Sequence, residues 1–174
     1  ISLGLVGSEM CIRDRILIKH KALMDGYYKS EELTNETIKD GWLHTGDVGE
    51  IDAEGYLKIT GRVKDIFKTT KGEYISPSTI EMKLSEDNNI EQVCIVGRGL
   101  TQPIALITLS LQAEKLNKIE LKEYFEISLN SFNKNLANYE KISQIVVLKT
   151  EWTVENNFLT PSMKIKRNTI ESAY

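Results

Sequence analysis

The stretch that most constrains this chain is Gly41–Lys71, GWLHTGDVGEIDAEGYLKITGRVKDIFKTTK. It sets a carboxylate beside a glycine in Thr45-Gly46-Asp47. It then places a turn signal, Asp52-Ala53-Glu54-Gly55, between two short segments of strand-like composition. The hairpin predicted from that pattern brings Asp47 and Arg62 near one another. Ionised carboxylate can accept from two neighbouring hydroxyls at once, as on a ribose, and guanidinium donates a planar fork to a hydroxyl or phosphate. Directly after the hairpin, Gly61-Arg62-Val63-Lys64-Asp65 has no proline and few bulky apolar residues, which suits a point where backbone dihedrals change.

The flanking sequence alternates strand and helix signals and predicts an α+β chain. Ile16-Leu17-Ile18 reads as a strand, and Ser30 as the cap of a short helix reaching Ile38, with Glu31 and Glu32 complementing the dipole of its first turn. Lys71-Gly72 is the turn of a second, small hairpin between Ile66–Thr69 and Glu73–Ile75. Ser76 and Pro77 open a helix that carries Glu81. The β-branched runs Ile90–Val96 and Ile104–Leu111 predict paired strands around the GRGLTQP loop. Leu121, Tyr124, Phe125, Ser128, Leu129, Phe132 and Leu136 recur at spacings of three or four where the segment is helical, with the aromatics assigned to the core. Ile142–Leu148 is a further strand, and Glu151–Thr160 a polar loop leading to PSMKIKR.

Several function classes are excluded. The 22 basic and 25 acidic residues give a net charge of -3 without a long block of either sign, which argues against nucleic acid as a partner. No apolar run is long enough for a spanning helix. Gly97-Arg98-Gly99 lacks the third glycine of a dinucleotide fingerprint, no G-x-x-x-x-G-K-[ST] phosphate loop or G-x-S-x-G elbow occurs, and His20 and His44 lack the partners of a metal or nucleophilic site, so no metal ligand is assigned. Residues 1–15, ISLGLVGSEMCIRDR, do not fit the pattern that follows and resemble translated sequencing-adapter sequence. With them set aside as a non-native segment, Cys94 is the sole cysteine; this rules out an internal disulfide and fits a reducing, cytoplasmic compartment.

Four strings, GWLHTGD, GYLKITGRVKD, KGEYISPSTIE and LTPSMKIKR, resemble in content and spacing the adenylate-forming (AMP-binding) superfamily, and in detail its long-chain fatty acyl-CoA synthetases. The resemblance covers roughly residues 16–174. It implies that residues 16–63 end the large AMP-binding domain as a β-rich remnant. Residues 64–174 would then be the carboxy-terminal lid domain, an antiparallel sheet with flanking helices. It implies a two-step reaction in which a fatty carboxylate attacks the α-phosphate of ATP to give an acyl-adenylate, and the CoA thiol then displaces AMP.

The same resemblance assigns Lys164 as the catalytic lysine, Asp47 to the ribose hydroxyls and Arg62 to the nucleotide. Lys64 becomes the hinge between the half-reactions, Gly72 the tip of a hairpin lining the pantetheine tunnel, and Arg167 the basic end of the closing motif. Met163 stands where the wider superfamily has glycine, a departure shared by long-chain synthetase-like sequences. The phosphate loop, the acyl pocket and the Mg2+-binding glutamate are expected upstream, so the chain reads as a fragment, inactive alone. Its partners would be fatty acid, ATP and CoA, and any peripheral membrane contact falls to the missing regions.

Without the flanking motifs, Arg62, Lys64 and Lys164 would be ordinary surface charges and Gly72 a plain turn glycine. Two alternatives stay open: another adenylate-forming acid–CoA ligase, distinguished by its acyl pocket, and a non-catalytic interaction module that keeps the lid fold without its chemistry.

Overall fold

The computed structural model describes residues 2–6 and 14–174, which divide after Lys64 into two compact units. The first contains β1 (Ser2–Val6), β2 (Asp14–Lys19), α1 (Glu31–Thr37), β3 (Ile38–Lys39), β4 (Trp42–Ile51) and β5 (Leu57–Arg62). Its five strands form one antiparallel sheet organised on β4, which pairs with β2, β3 and β5. The segment 1–15, read as non-native, falls largely on residues outside those described. Of its described residues, Ser2–Val6 pair antiparallel with β2, and Asp14 and Arg15 begin β2 itself.

The turn chemistry of this unit follows the sequence. Asp52 Oδ1 accepts from the amides of Glu54 and Tyr56 at 3.1 and 2.7 Å, and Gly55 N–H donates to Asp52 O, so one side chain organises the reversal between β4 and β5. Gly49 is required by close approach: a Cβ there would lie 2.8 Å from the Lys58 carbonyl oxygen. Ser30 occupies the cap position of α1 but makes no capping bond with its side chain. Thr34 takes over, its hydroxyl donating to Ser30 O and accepting from Tyr27 N–H.

The second unit contains β6 (Phe67–Lys68), β7 (Tyr74–Ile75), α2 (Pro77–Leu84), β8 (Ile90–Val96), β9 (Ile104–Leu109), α3 (Lys118–Asn133), β10 (Ile145–Val147) and α4 (Arg167–Ala173). β6 and β7 form the small hairpin. β8 and β9 pair antiparallel and β10 joins β9 in parallel, giving the order β10-β9-β8. Alternation along β8 and β9 divides the core. Val93, Ile95, Ala105 and Ile107 pack with Phe67, Ile75, Ile80, Leu84, Phe125 and Ile142, whereas Cys94 and Leu106 pack with Trp152, Leu159 and Ile170. Because both faces of this sheet are covered, its strands read as nearly continuous apolar runs.

α3 begins with a capping box: Asn117 Oδ1 accepts from the Ile119 and Glu120 amides, and Glu120 Oε2 accepts from Asn117 N–H. The helix ends before Leu136. Of its aromatics, Phe125 is buried and Phe132 packs partly against the core, but Tyr124 is 38% exposed and donates its hydroxyl to Asp87. A phenol at the edge of the apolar stripe keeps its polar tip at the surface.

Candidate functional site

Asp47 and Arg62 stand directly opposite each other on β4 and β5, and Arg62 Nε lies 3.1 Å from Asp47 Oδ1. A register shift between Val48 and Gly49 precedes the pair, the kind of bulge that re-aims side chains at the end of a ladder. Thr45 fixes the approach to Asp47: its hydroxyl donates to Ile16 O at 2.9 Å and accepts from Asp47 N–H at 3.1 Å. The Arg62 side chain is 64% exposed and that of Asp47 24%. An ion pair so open to water contributes at most about 1 kcal/mol to stability. It leaves a carboxylate and a guanidinium side by side at the surface, able to take hydroxyl and phosphate groups.

Lys164 sits in a tight reversal between Leu159 and Ile165, which form an isolated antiparallel bridge. Thr160 N–H donates to Lys164 O at 2.8 Å, and Thr160 Oγ1 accepts from Lys164 N–H at 3.0 Å. Met163 N–H donates to Thr160 O, and Met163 adopts the left-handed region, φ 61°. This is a conformation glycine takes without cost, so the methionine at this position carries backbone strain. The flanking Leu159 and Ile165 pack in the Trp152 cluster, which anchors the turn while Lys164 is exposed. The Lys164 ammonium has no partner among the described residues. Two residues on, Lys166 is half-buried and donates its ammonium to Asn157 Oδ1, a structural use of the same side-chain type.

The loop into this turn is held from β8. Gln92 donates its amide nitrogen to Trp152 O and accepts from Trp152 N–H, both at 2.8 Å, and Trp152 is 1% exposed. The other side of the turn is held by Arg167 at the start of α4. Its NH1 and NH2 donate to Glu81 Oε1 and Oε2 at 2.6 and 2.9 Å, and NH1 also reaches Ile95 O and Cys94 Sγ. Burial alone would lower the Arg167 guanidinium, yet its bonds and attraction to Glu81 hold it above the ordinary value. Burial pushes the Cys94 thiol up to about 12 despite the nearby Arg167. Gln92 is not marked by the sequence, and Thr160 stands inside the LTPSMKIKR string with no role read for it, since the backbone groups that each bonds are brought to it by the fold. The Glu81–Arg167 pair could have been sought as two opposite charges next to apolar core positions.

Gly72 closes the β6–β7 hairpin with φ 89°, its N–H donating to Thr69 O. Lys64 is the middle residue of a 3-10 turn, Val63–Asp65, and the last residue of the first unit. The structure thus brings Asp47 and Arg62 together on the first unit and places Gly72 and Lys164 on separate loops of the second. No group of three or more His, Cys, Asp or Glu side chains converges among the described residues. Among them no helix is long and apolar enough to cross a membrane.

Known proteins share this organisation. The family described as "AMP-binding enzyme C-terminal domain" matches residues 64–174. Fatty acyl-CoA synthetase B of Dictyostelium discoideum is 32% identical over 95% of this chain and 26% of its own length. Long chain acyl-CoA synthetase 3 of Arabidopsis thaliana is 34% identical over 89% of this chain and 26% of its own. The chain therefore spans about a quarter of the length of these relatives. Among solved structures, the adenylation domain of a carboxylate reductase from Mycobacterium chelonae has a TM-score of 0.83 at 24% identity, covering 100% of this chain and 30% of that one. The o-succinylbenzoate CoA synthetase of Bacillus subtilis, in complex with its acyl-adenylate intermediate, has a TM-score of 0.73 at 23% identity, covering 98% and 33%. From the family match over residues 64–174, the chain belongs to the adenylate-forming, AMP-binding enzymes and carries their C-terminal domain.

Proposed function

We propose that this chain is the carboxy-terminal part of a long-chain fatty acid–CoA ligase, which uses ATP to make an acyl-adenylate and then transfers the acyl group to CoA. The observation that carries the reading is the presentation of Lys164: an unpaired ammonium on a turn whose backbone is tied at Thr160 and whose neighbours are buried. Such a compact, preorganised charge suits the adenylation step, where negative charge spreads between the attacking carboxylate and the α-phosphate. Asp47 accepts from the ribose hydroxyls and Arg62 donates to the nucleotide. Lys64 is the pivot that exchanges Lys164 for the Gly72 hairpin, so one cleft serves both half-reactions. CoA supplies the thiol, and the hairpin backbone at Gly72 lines its pantetheine arm. The similarity to synthetases whose names specify long-chain acids supports the substrate class.

The test separates the half-reactions in the full-length ligase. Lys164→Ala slows ATP–pyrophosphate exchange with a long-chain acid by about 10²–10³-fold and spares acyl transfer to CoA from preformed acyl-adenylate. Normal exchange by that variant, or equal loss of both steps, overturns the assignment. A protein that exchanges pyrophosphate with aryl or short-chain acids instead is a different ligase, and one that exchanges with no acid is a lid-fold interaction module.

A further inference from the structure

We propose that Thr160 is the positioning residue for Lys164, an inference that rests on Lys164 being the adenylation lysine. Three groups of Thr160 are committed to the four residues that follow it. Its N–H donates to Lys164 O at 2.8 Å, its carbonyl accepts from Met163 N–H at 2.8 Å, and its hydroxyl oxygen accepts from Lys164 N–H at 3.0 Å. Both backbone polar groups of Lys164 therefore end on one residue. The hydroxyl also lies 3.0 Å from Ser162 Oγ, inside the same turn.

The need for such a tie follows from Met163. Its φ of 61° is unfavourable for a residue with a long side chain, so the turn is held against a local preference to relax. Leu159 is buried and anchors the chain entering the turn, but Lys164 is exposed and its side chain receives no support among the described residues. The Thr160 hydroxyl bond is the side-chain contact that closes the turn onto the Lys164 amide and so sets the starting direction of the lysine side chain. An error of about 1 Å in the placement of a charge-stabilising group is felt in the rate rather than in ground-state binding.

Thr160→Val keeps the backbone bonds and the β-branched shape and removes only the hydroxyl, and Thr160→Ser keeps the hydroxyl. Both are compared with Lys164→Ala in the full-length ligase. Measurements are ATP–pyrophosphate exchange, acyl transfer from preformed acyl-adenylate, and melting temperature. We expect Thr160→Val to lower kcat for exchange about tenfold with KM for ATP and acid unchanged, acyl transfer spared, and melting within a few degrees of the parent. Thr160→Ser should restore exchange to within about twofold. If valine prevents folding, Thr160→Ala gives the same comparison.

Full exchange activity in the hydroxyl-free variant beside an impaired Lys164→Ala overturns the positioning role. So does equal loss of both half-reactions, or failure of serine to rescue. Full activity of Lys164→Ala instead removes the functional reading beneath it.

Discussion

Glu81 and Arg167, 86 residues apart in sequence, form a bidentate pair at 2.6 and 2.9 Å that closes on both polar groups of a single strand residue, Ile95. Ile95 N–H donates to Glu81 Oε1 at 2.7 Å, and Ile95 O accepts from Arg167 NH1 at 2.6 Å. α2, β8 and the start of α4 are thereby joined at one point, three residues beyond Lys164. The charges are largely withdrawn from water, with side-chain exposures of 12% and 16%. A pair so placed specifies where α4 begins more than it adds net stability, because desolvation offsets much of the attraction.

Removing one partner leaves the other charge buried and uncompensated. Arg167→Ala or Glu81→Ala is therefore expected to cost about 3–5 kcal/mol in urea unfolding. Arg167→Lys recovers little, since an ammonium cannot span both carboxylate oxygens and the Ile95 carbonyl. The double variant Glu81→Leu/Arg167→Met should be more stable than either alanine variant. Single losses below about 1 kcal/mol would mean that water reaches the pair freely.

Cys94 lies behind Arg167, and its burial gives a pH dependence with a definite sign. The folded thiol is held up to about 12 against an ordinary value of 9.0. Below pH 9 both states keep the proton and stability is unaffected. Between pH 9 and about 12 the unfolded chain releases it and the folded one does not, so this group makes stability fall by up to about 1.4 kcal/mol per pH unit. Cys94→Ala should flatten that part of the stability profile. In the native protein at pH 8 the Cys94 thiol should resist alkylation by iodoacetamide until denaturant is added, and rapid native labelling at Cys94 in a Cys11→Ser background would contradict the buried placement.

The sequence was most readable where one local pattern sufficed. Asp52 and Gly55 specify their turn through bonds within that turn, and the register it starts, shifted by one residue between Val48 and Gly49, places Asp47 opposite Arg62. Boundaries were less readable where tertiary context decides them. Ile142–Leu148 is apolar enough for a long strand, yet the strand is Ile145–Val147, and Ile142 gives both its N–H and its carbonyl to Asn133 instead. Leu111 continues the apolar run of β9 but is 81% exposed beyond its end. The nearness of Asp47 and Arg62 was legible and the bonds of Gln92, Thr45 and Thr160 were not, since each of these ends on a backbone group that only the folded chain brings within reach. Ser2–Val6 pairs with β2 although its sequence looks foreign, and an edge strand asks of a partner only free backbone groups, which any sequence without proline supplies.

Gly72 separates backbone conformation from access. At φ 89° a Cβ is strained although it would meet nothing closer than Lys68 Cε at 3.8 Å. Gly72→Ala should therefore destabilise the second unit by about 1 kcal/mol or more. Gly72→Asn tolerates positive φ and should cost less, but it places a side chain where the backbone is proposed to approach pantetheine. In the full-length ligase the asparagine variant should lose acyl transfer to CoA while keeping pyrophosphate exchange. Transfer at the parental rate would remove this hairpin from the CoA path.

The last prediction concerns Lys64, which ends the first unit within a 3-10 turn. Proline at that position fixes φ near −65° and drives Val63 toward extended backbone, so a junction that must adopt two conformations loses free exchange between them. No ligand-binding group is removed by Lys64→Pro, because the lysine is assigned a role through its backbone. Lys64→Ala, which leaves the dihedrals free, should accordingly run both half-reactions at close to the parental rate. Lys64→Pro in the full-length ligase should instead split them, with pyrophosphate exchange and acyl transfer differing by tenfold or more in their residual activity, a change of about 1.4 kcal/mol in relative barriers. Equal loss of both steps by the proline variant, with a lowered melting temperature, would point to misfolding. Equal retention would place the pivot elsewhere in the junction.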